Sequence, residues 1–220
     1  MKLKVCGLTS VAQMQEAYEM GIDYVGMVLY SGSKRSALPA VERDAAAIRA
    51  LEVPKVGVFV NETCDTILRY TELLDLTAIQ LHGDETPEFC HGLRERVNII
   101  KAFRVEEDSN LDTLVKPYHD LCNYFLFDTA TSGYGGSGQR FDWSLLEKAL
   151  VDKLFFLSGG IGAEDTDRLR DFYHPFHYGV DINSRFETEP GVKDMALIKK
   201  FISDLKANEP GRVQEDADVA

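Results

Sequence analysis

Eight short apolar runs recur along the chain: residues 3–6 (LKVC), 24–29 (YVGMVL), 55–60 (KVGVFV), 78–81 (AIQL), 98–103 (NIIKAF), 124–128 (YFLFD), 154–158 (LFFLS) and 178–182 (YGVDI). Val, Ile, Leu and Phe fill them nearly continuously, without polar alternation. That is the pattern of strands covered on both faces, as in a parallel sheet. Parallel neighbours need a crossover, and run starts 20 to 31 residues apart leave room for a helix each time.

The gaps carry helix signals. In SVAQMQEAYEMG, Val11, Met14, Ala17 and Tyr18 share a face, Ser10 is the expected N-cap and Gly21 the expected end. AVERDAAAIRAL follows Pro39, and ETCDTILRYTELL puts Cys64, Ile67, Leu68 and Leu74 on its apolar side, which makes Cys64 a packing residue. DWSLLEKAL, with Asp142 as expected N-cap, then AEDTDRLRDF and VKDMALIKKFISDLK, complete the series; 86–96 and 108–118 are weaker helices. Eight such units over residues 1–206 predict an α/β single-domain (β/α)8 TIM barrel with eight parallel strands. A doubly wound open sheet is the alternative, but the first turn, CGLTS, lacks a Gly-x-Gly-x-x-Gly fingerprint. Residues 207–220 are acidic, broken by Pro210 and Gly211, and read as a flexible tail.

Of the 220 residues 45% are hydrophobic, enough for a substantial core. A formal net charge of -12 argues against nucleic acid as a partner, though a small anion can still bind through local backbone N–H groups and an arginine. No run approaches the roughly 18 apolar residues of a membrane span, and the first residues lack a secretory h-region. Cys6, Cys64, Cys90 and Cys122 form no Cys-x-x-Cys pair, and the five histidines show no ligand spacing with carboxylates. The expectation is a cytoplasmic protein with free thiols and no metal.

In such a barrel the chemistry lies where strands end and βα loops begin. Those ends hold Cys6, residues 31–35 with Arg35, Asn61, Gln80 with His82, Arg104, Asp128, Gly159 with Gly160, and Asp181, Asn183 and Ser184. Loops seven and eight form the frequent phosphate site, where Gly159–Gly160 lets the backbone approach an anion. Asp128, against apolar neighbours and opening a glycine-rich loop that could close over a substrate, is a candidate general acid. Cys6, across the ring from it, is a candidate base. Arg35 is a candidate carboxylate fork, and His82, with no carboxylate neighbour evident, a hydrogen-bonding wall residue and not a base.

Together KVCGLT, GVFVNE, IQLHGDE, LFDTATSGYGGSGQRFDW, LSGGI and GVDINSRFETEPGVKD resemble, in order, the motifs of the phosphoribosylanthranilate isomerase family over residues 2 to about 203. The resemblance implies a barrel without cofactor or metal, monomer or homodimer, acting on a small phosphosugar–anthranilate substrate in tryptophan biosynthesis. It implies an Amadori rearrangement with Asp128 as acid and Cys6 as base, Arg35 on the anthranilate carboxylate, and Gly159–Gly160 and Asn183–Ser184 on the phosphate. Ser33-Lys34-Arg35 stands where the family has Ser-Pro-Arg. Asn183-Ser184-Arg185-Phe186-Glu187 stands for Ser-Ser-Gly-Val-Glu, so Arg185 is expected to add positive charge beside the phosphate. Another phosphosugar isomerase on the same barrel and a silent phosphosugar-binding barrel are the alternatives; Cys6 argues against the first, and Cys6 with Asp128 against the second.

Overall fold

The computed structural model describes residues 1–129 and 142–207. The expected glycine-rich closing loop (130–141) and nearly all of the expected tail (208–220) lie outside the described residues. Eight strands follow the chain order: β1 (Lys2–Val5), β2 (Tyr24–Val28), β3 (Lys55–Phe59), β4 (Ala78–Leu81), β5 (Asn98–Val105), β6 (Tyr124–Thr129), β7 (Phe155–Leu157) and β8 (His177–Ile182). Each pairs in parallel with the next, and β1 pairs with β8 at Lys4↔Asp181, closing the barrel. The strands thus follow the sequence reading with small changes at the ends. β1 stops at Val5, so Cys6 is the first residue beyond it. β5 runs two residues longer than expected because Arg104 and Val105 pair with Asp128 and Thr129.

The helices α1 (Val11–Glu19), α2 (Leu38–Ala50), α3 (Cys64–Leu74), α4 (Pro87–Leu93), α5 (Leu111–Val115), α6 (Ser144–Lys148), α7 (Thr166–Asp171) and α8 (Met195–Lys206) surround the strands. Side-chain caps fix several starts: Ser10 accepts from Gln13 N, Thr63 from Thr66 N and Asp194 from Leu197 N. The N-cap of α6 is Trp143, not the expected Asp142, which sits one residue earlier and accepts from both the backbone N and the hydroxyl of Ser144. α6 is shorter than its sequence pattern because Ala149 turns extended (φ -82°, ψ 147°). α1 ends at Glu19, two residues before Gly21. A small antiparallel hairpin, β9 (Glu187–Glu189) and β10 (Val192–Lys193), precedes α8.

Two apolar layers result. Between strands and helices lies the main core, including Val5, Met14, Val25, Phe59, Phe125, Phe155, Ile182 and Phe201, with Cys64 packed at its margin. Inside the barrel Val56, Ala78, Ile100, Ala102, Leu126 and Phe156 fill the middle. Tyr24, Tyr124 and Tyr178 close the foot, with the Tyr24 and Tyr178 hydroxyls 2.9 Å apart. β8 is irregular opposite Phe155–Phe156, where His177 and then Gly179 are the partners and Tyr178 is the extra residue. This bulge places both Tyr178 and Asp181 inside, although they are three residues apart.

Candidate active site

An open cleft of about 740 Å³ lies at the C-terminal mouth of the barrel. All the residues singled out for the site line it: Cys6, Arg35, Gln80, His82, Asp128, Gly159, Gly160, Asp181, Asn183 and Ser184. Asn61 and Arg104, also at strand ends, do not; Asn61 Oδ1 accepts from Asp84 N and Arg104 pairs with Asp84, so they brace the neighbouring loops.

Cys6 is buried beside Val28, Val58 and Tyr30. Its position depends on Gly26 of β2, where a Cβ would stand 2.9 Å from the cysteine Sγ and 3.0 Å from its Cα. Burial pushes the thiol above its usual range; Lys4 and Lys193 pull it down, and Asp181 pushes it further up. Lys4 is fully buried within the barrel, with Nζ 2.9 Å from Asp181 Oδ1. Burial lowers the Lys4 ammonium, but Asp181 and Cys6 outweigh it and hold it above the usual lysine range. Burial raises the Asp181 carboxyl, against the opposing pull of Lys4.

Across the cleft, Asp128 Oδ1 accepts from the N–H of Thr129 at 2.9 Å, and Oδ2 lies 3.2 Å from His82 Nε2. His82 therefore has a carboxylate neighbour, contrary to the sequence reading; 46 residues separate the two, so proximity along the chain could not reveal it. Gln80 Nε2 lies 2.8 Å from His82 Nδ1, and an amide N–H donated there leaves the ring hydrogen on Nε2, aimed at Asp128. Asp128 is thus held by polar partners, not only by the apolar strand expected around it.

Arg35 borders the cleft, but Nε and Nη2 grip Glu187 at 2.8–2.9 Å. Glu187 Oε1 also accepts from Lys193 Nζ at 2.7 Å, and that ammonium donates to Asn183 Oδ1 at 2.7 Å. The hairpin thereby ties the arm bearing Arg35 to the loop after β8. Without the family's proline, the Arg35 loop is held by Ser33: Oγ accepts from Arg35 N and the carbonyl accepts from Ser36 N, both at 3.1 Å.

Gly159 (φ +88°) and Gly160 (φ +67°) are both left-handed. A Cβ on Gly159 would stand 2.6 Å from Thr129 N, so the loop after β7 lies on the end of β6 only because the residue is glycine. Ser184–Phe186 forms a 3₁₀ turn on the adjoining wall. Arg185 corrects the expectation placed on it: its guanidinium pairs with Glu164 at the surface, away from the cleft lining. Its backbone is not left-handed, so glycine is not required there. Lys4, Glu187 and Lys193 were missed. The only signal for Lys4 was a charge in an apolar run at the position two before Cys6, hence on the same side of the strand.

A parallel barrel with a thiol and a carboxylate opening on one cleft, beside glycine-lined loops after β7 and β8, has the layout of a (β/α)8 enzyme with its site at the C-terminal mouth. The family model for N-(5'-phosphoribosyl)anthranilate isomerase matches residues 3–204. A curated relative of that name from Parabacteroides distasonis is 40% identical over 216 residues, covering 96% of this chain and 97% of its own. The crystal structure of phosphoribosyl anthranilate isomerase from Thermotoga maritima superposes with a TM-score of 0.81 at 37% identity, over 94% of this chain and 99% of that one. A phosphoribosyl anthranilate isomerase in complex with reduced 1-(o-carboxyphenylamino)-1-deoxyribulose 5-phosphate gives 0.78 at 34% identity, over 94% and 99%. The chain belongs to the phosphoribosylanthranilate isomerase family.

Proposed function

We propose that this cleft carries out the family's reaction with Asp128 as general acid and Cys6 as general base. That reaction is the Amadori rearrangement of N-(5-phospho-β-D-ribosyl)anthranilate to 1-(2-carboxyphenylamino)-1-deoxy-D-ribulose 5-phosphate, an aldose-to-ketose isomerisation in tryptophan biosynthesis. The observation that carries the assignment is that Cys6 and Asp128 enter one cleft from β1 and β6, with the loop after β7 packed against the end of β6.

Asp128 protonates the furanose ring oxygen, and the ring opens to a Schiff base. Cys6, as thiolate, removes the proton from ribose C2, and the resulting enolamine tautomerises to the ketone. His82, oriented by Gln80, fixes the Asp128 carboxyl towards the substrate. Gly159, Gly160, Asn183 and Ser184 hold the phosphate, and Arg35, braced by Glu187, faces the anthranilate carboxylate. All these residues come from one chain, so the assignment holds for a monomer and for a homodimer. A reducing compartment such as the cytoplasm keeps Cys6 available as the base.

Among the described residues no helix is long and apolar enough to cross a membrane. The test is turnover of freshly made phosphoribosylanthranilate by Cys6→Ala and Asp128→Asn. Each should lose roughly 10²–10⁴-fold in kcat, while kcat/KM of the parent follows a bell in pH. A product analogue should bind both variants nearly as well as the parent. Near-parental kcat in Cys6→Ala would return Cys6 to a packing role.

A further inference from the structure

The barrel interior is apolar from its tyrosine foot to its middle layer, except for the Lys4–Asp181 pair. Lys4 has no exposed surface, and among the described residues the only carboxylate on its ammonium is Asp181. A buried ion pair is often no more stabilising than apolar residues of the same volume, so stability alone does not explain it. One carboxylate also leaves the three donors of an ammonium incompletely used. The Cys6 thiol lies two residues further on, on the same inward side of the barrel, where it and the ammonium bear on each other's ionisation.

We propose that Lys4, anchored by Asp181, is a positioning residue that offsets burial at Cys6 and so favours the thiolate that accepts the C2 proton. The inference rests on Cys6 being the base. The thiol is faced by Lys4 from β1, Asp181 from β8 and Lys193 from β10; β2 and β3 contribute only Gly26, Val28 and Val58, and the loop after β2 adds Tyr30. Lys4 is the largest of these influences opposing burial. Asp181 acts in two ways: it fixes the ammonium and, by its own charge, opposes the thiolate. In the proton step the C2–H electron pair passes into the enolamine, the thiolate becomes a thiol, and Lys4 keeps its proton throughout.

The test follows the ionisation of Cys6 without turnover, through its rate of alkylation by iodoacetamide against pH, resolved at Cys6 by mass spectrometry. Lys4→Met should move the midpoint upward by about one to three pH units, Lys4→Arg should hold it near the parent, and Asp181→Asn should move it downward. If Lys4→Met alone does not fold, Lys4→Met with Asp181→Asn removes both charges, and its midpoint should lie above that of Asp181→Asn alone. An unmoved midpoint on loss of Lys4, or shifts of the same sign for the Lys4→Met and Asp181→Asn variants, would overturn the proposal. Failure of the base assignment reads differently: Cys6→Ala would then turn over normally whatever the alkylation midpoint does.

Discussion

Lys4 and Lys101 are both buried, and each has its ammonium 2.9 Å from a carboxylate, Asp181 for one and Glu85 for the other. Their surroundings differ. Lys101 projects from the outer face of β5 and also donates to the carbonyls of Gly83 at 2.8 Å and Leu81 at 3.3 Å. Glu85 in turn accepts from Asn61 N and Gly83 N. That pair is saturated by backbone and fastens the loops after β3 and β4 to β5. Lys4 meets a carboxylate and a thiol inside the barrel, at the floor of the cleft. A saturated buried pair is a brace; a pair with donors left over beside a reactive group acts on that group's ionisation.

The largest effect that probes this contrast is Lys101→Met. It strands Glu85 and should cost about 3–5 kcal/mol of stability, a fall in Tm of roughly 10 °C, measured by thermal unfolding. The kcat/KM pH profile of the folded fraction should keep its shape. A Lys101→Met profile displaced as far as that of Lys4→Met would erase the distinction.

His177 supplies a third case, a half-buried base with no carboxylate partner among the described residues. Burial lowers it to about 4 from 6.5, against a weak opposing contact to the Gly179 carbonyl, so it stays neutral in the fold. Its folded value lies below the unfolded one, so protons favour unfolding. Stability is full above 6.5 and falls as pH drops towards about 4, by ~3 kcal/mol in all. His177→Phe should flatten this part of the stability curve in urea titrations across that window; an unchanged slope would show that another group is responsible.

Glu187→Gln releases one side of the Arg35 clamp, a charge-assisted contact. KM should rise about tenfold with kcat nearly unchanged. A fall in kcat at constant KM would mean that the clamp serves the chemistry and not carboxylate binding. The smallest effect is expected from ending the chain at Ala207, past the last turn of α8: activity and Tm should match the full chain, and loss of either would give residues 208–220 a role.

The barrel itself was legible because strands buried on both faces stand out as continuous apolar runs, and the cleft because strand ends are where such barrels keep their chemistry. The same continuity hid the interior. Without polar alternation, nothing marks which residues of a strand face inward, so Lys4 passed as part of an apolar run and its partner, 177 residues away, was out of view. The pairing of His82 with Asp128 and the grip of Arg35 on Glu187 are likewise products of the barrel's curvature, invisible along the chain. Arg185 was misjudged because adjacency to Ser184 was taken for a shared direction, whereas the 3₁₀ turn sends its side chain towards Glu164.

The bulge in β8 behaves like a frameshift in a two-letter code. Upstream of it, inward and outward positions are read in one phase, and downstream in the other. Deleting one residue there would restore regular alternation and rotate Asp181 and Asn183 together out of the cleft, leaving Lys4 without its counter-ion. Point substitutions along β8 alter single positions, whereas a change of length rewrites all that follow. Along this strand, the number of residues is therefore under tighter constraint than their identity.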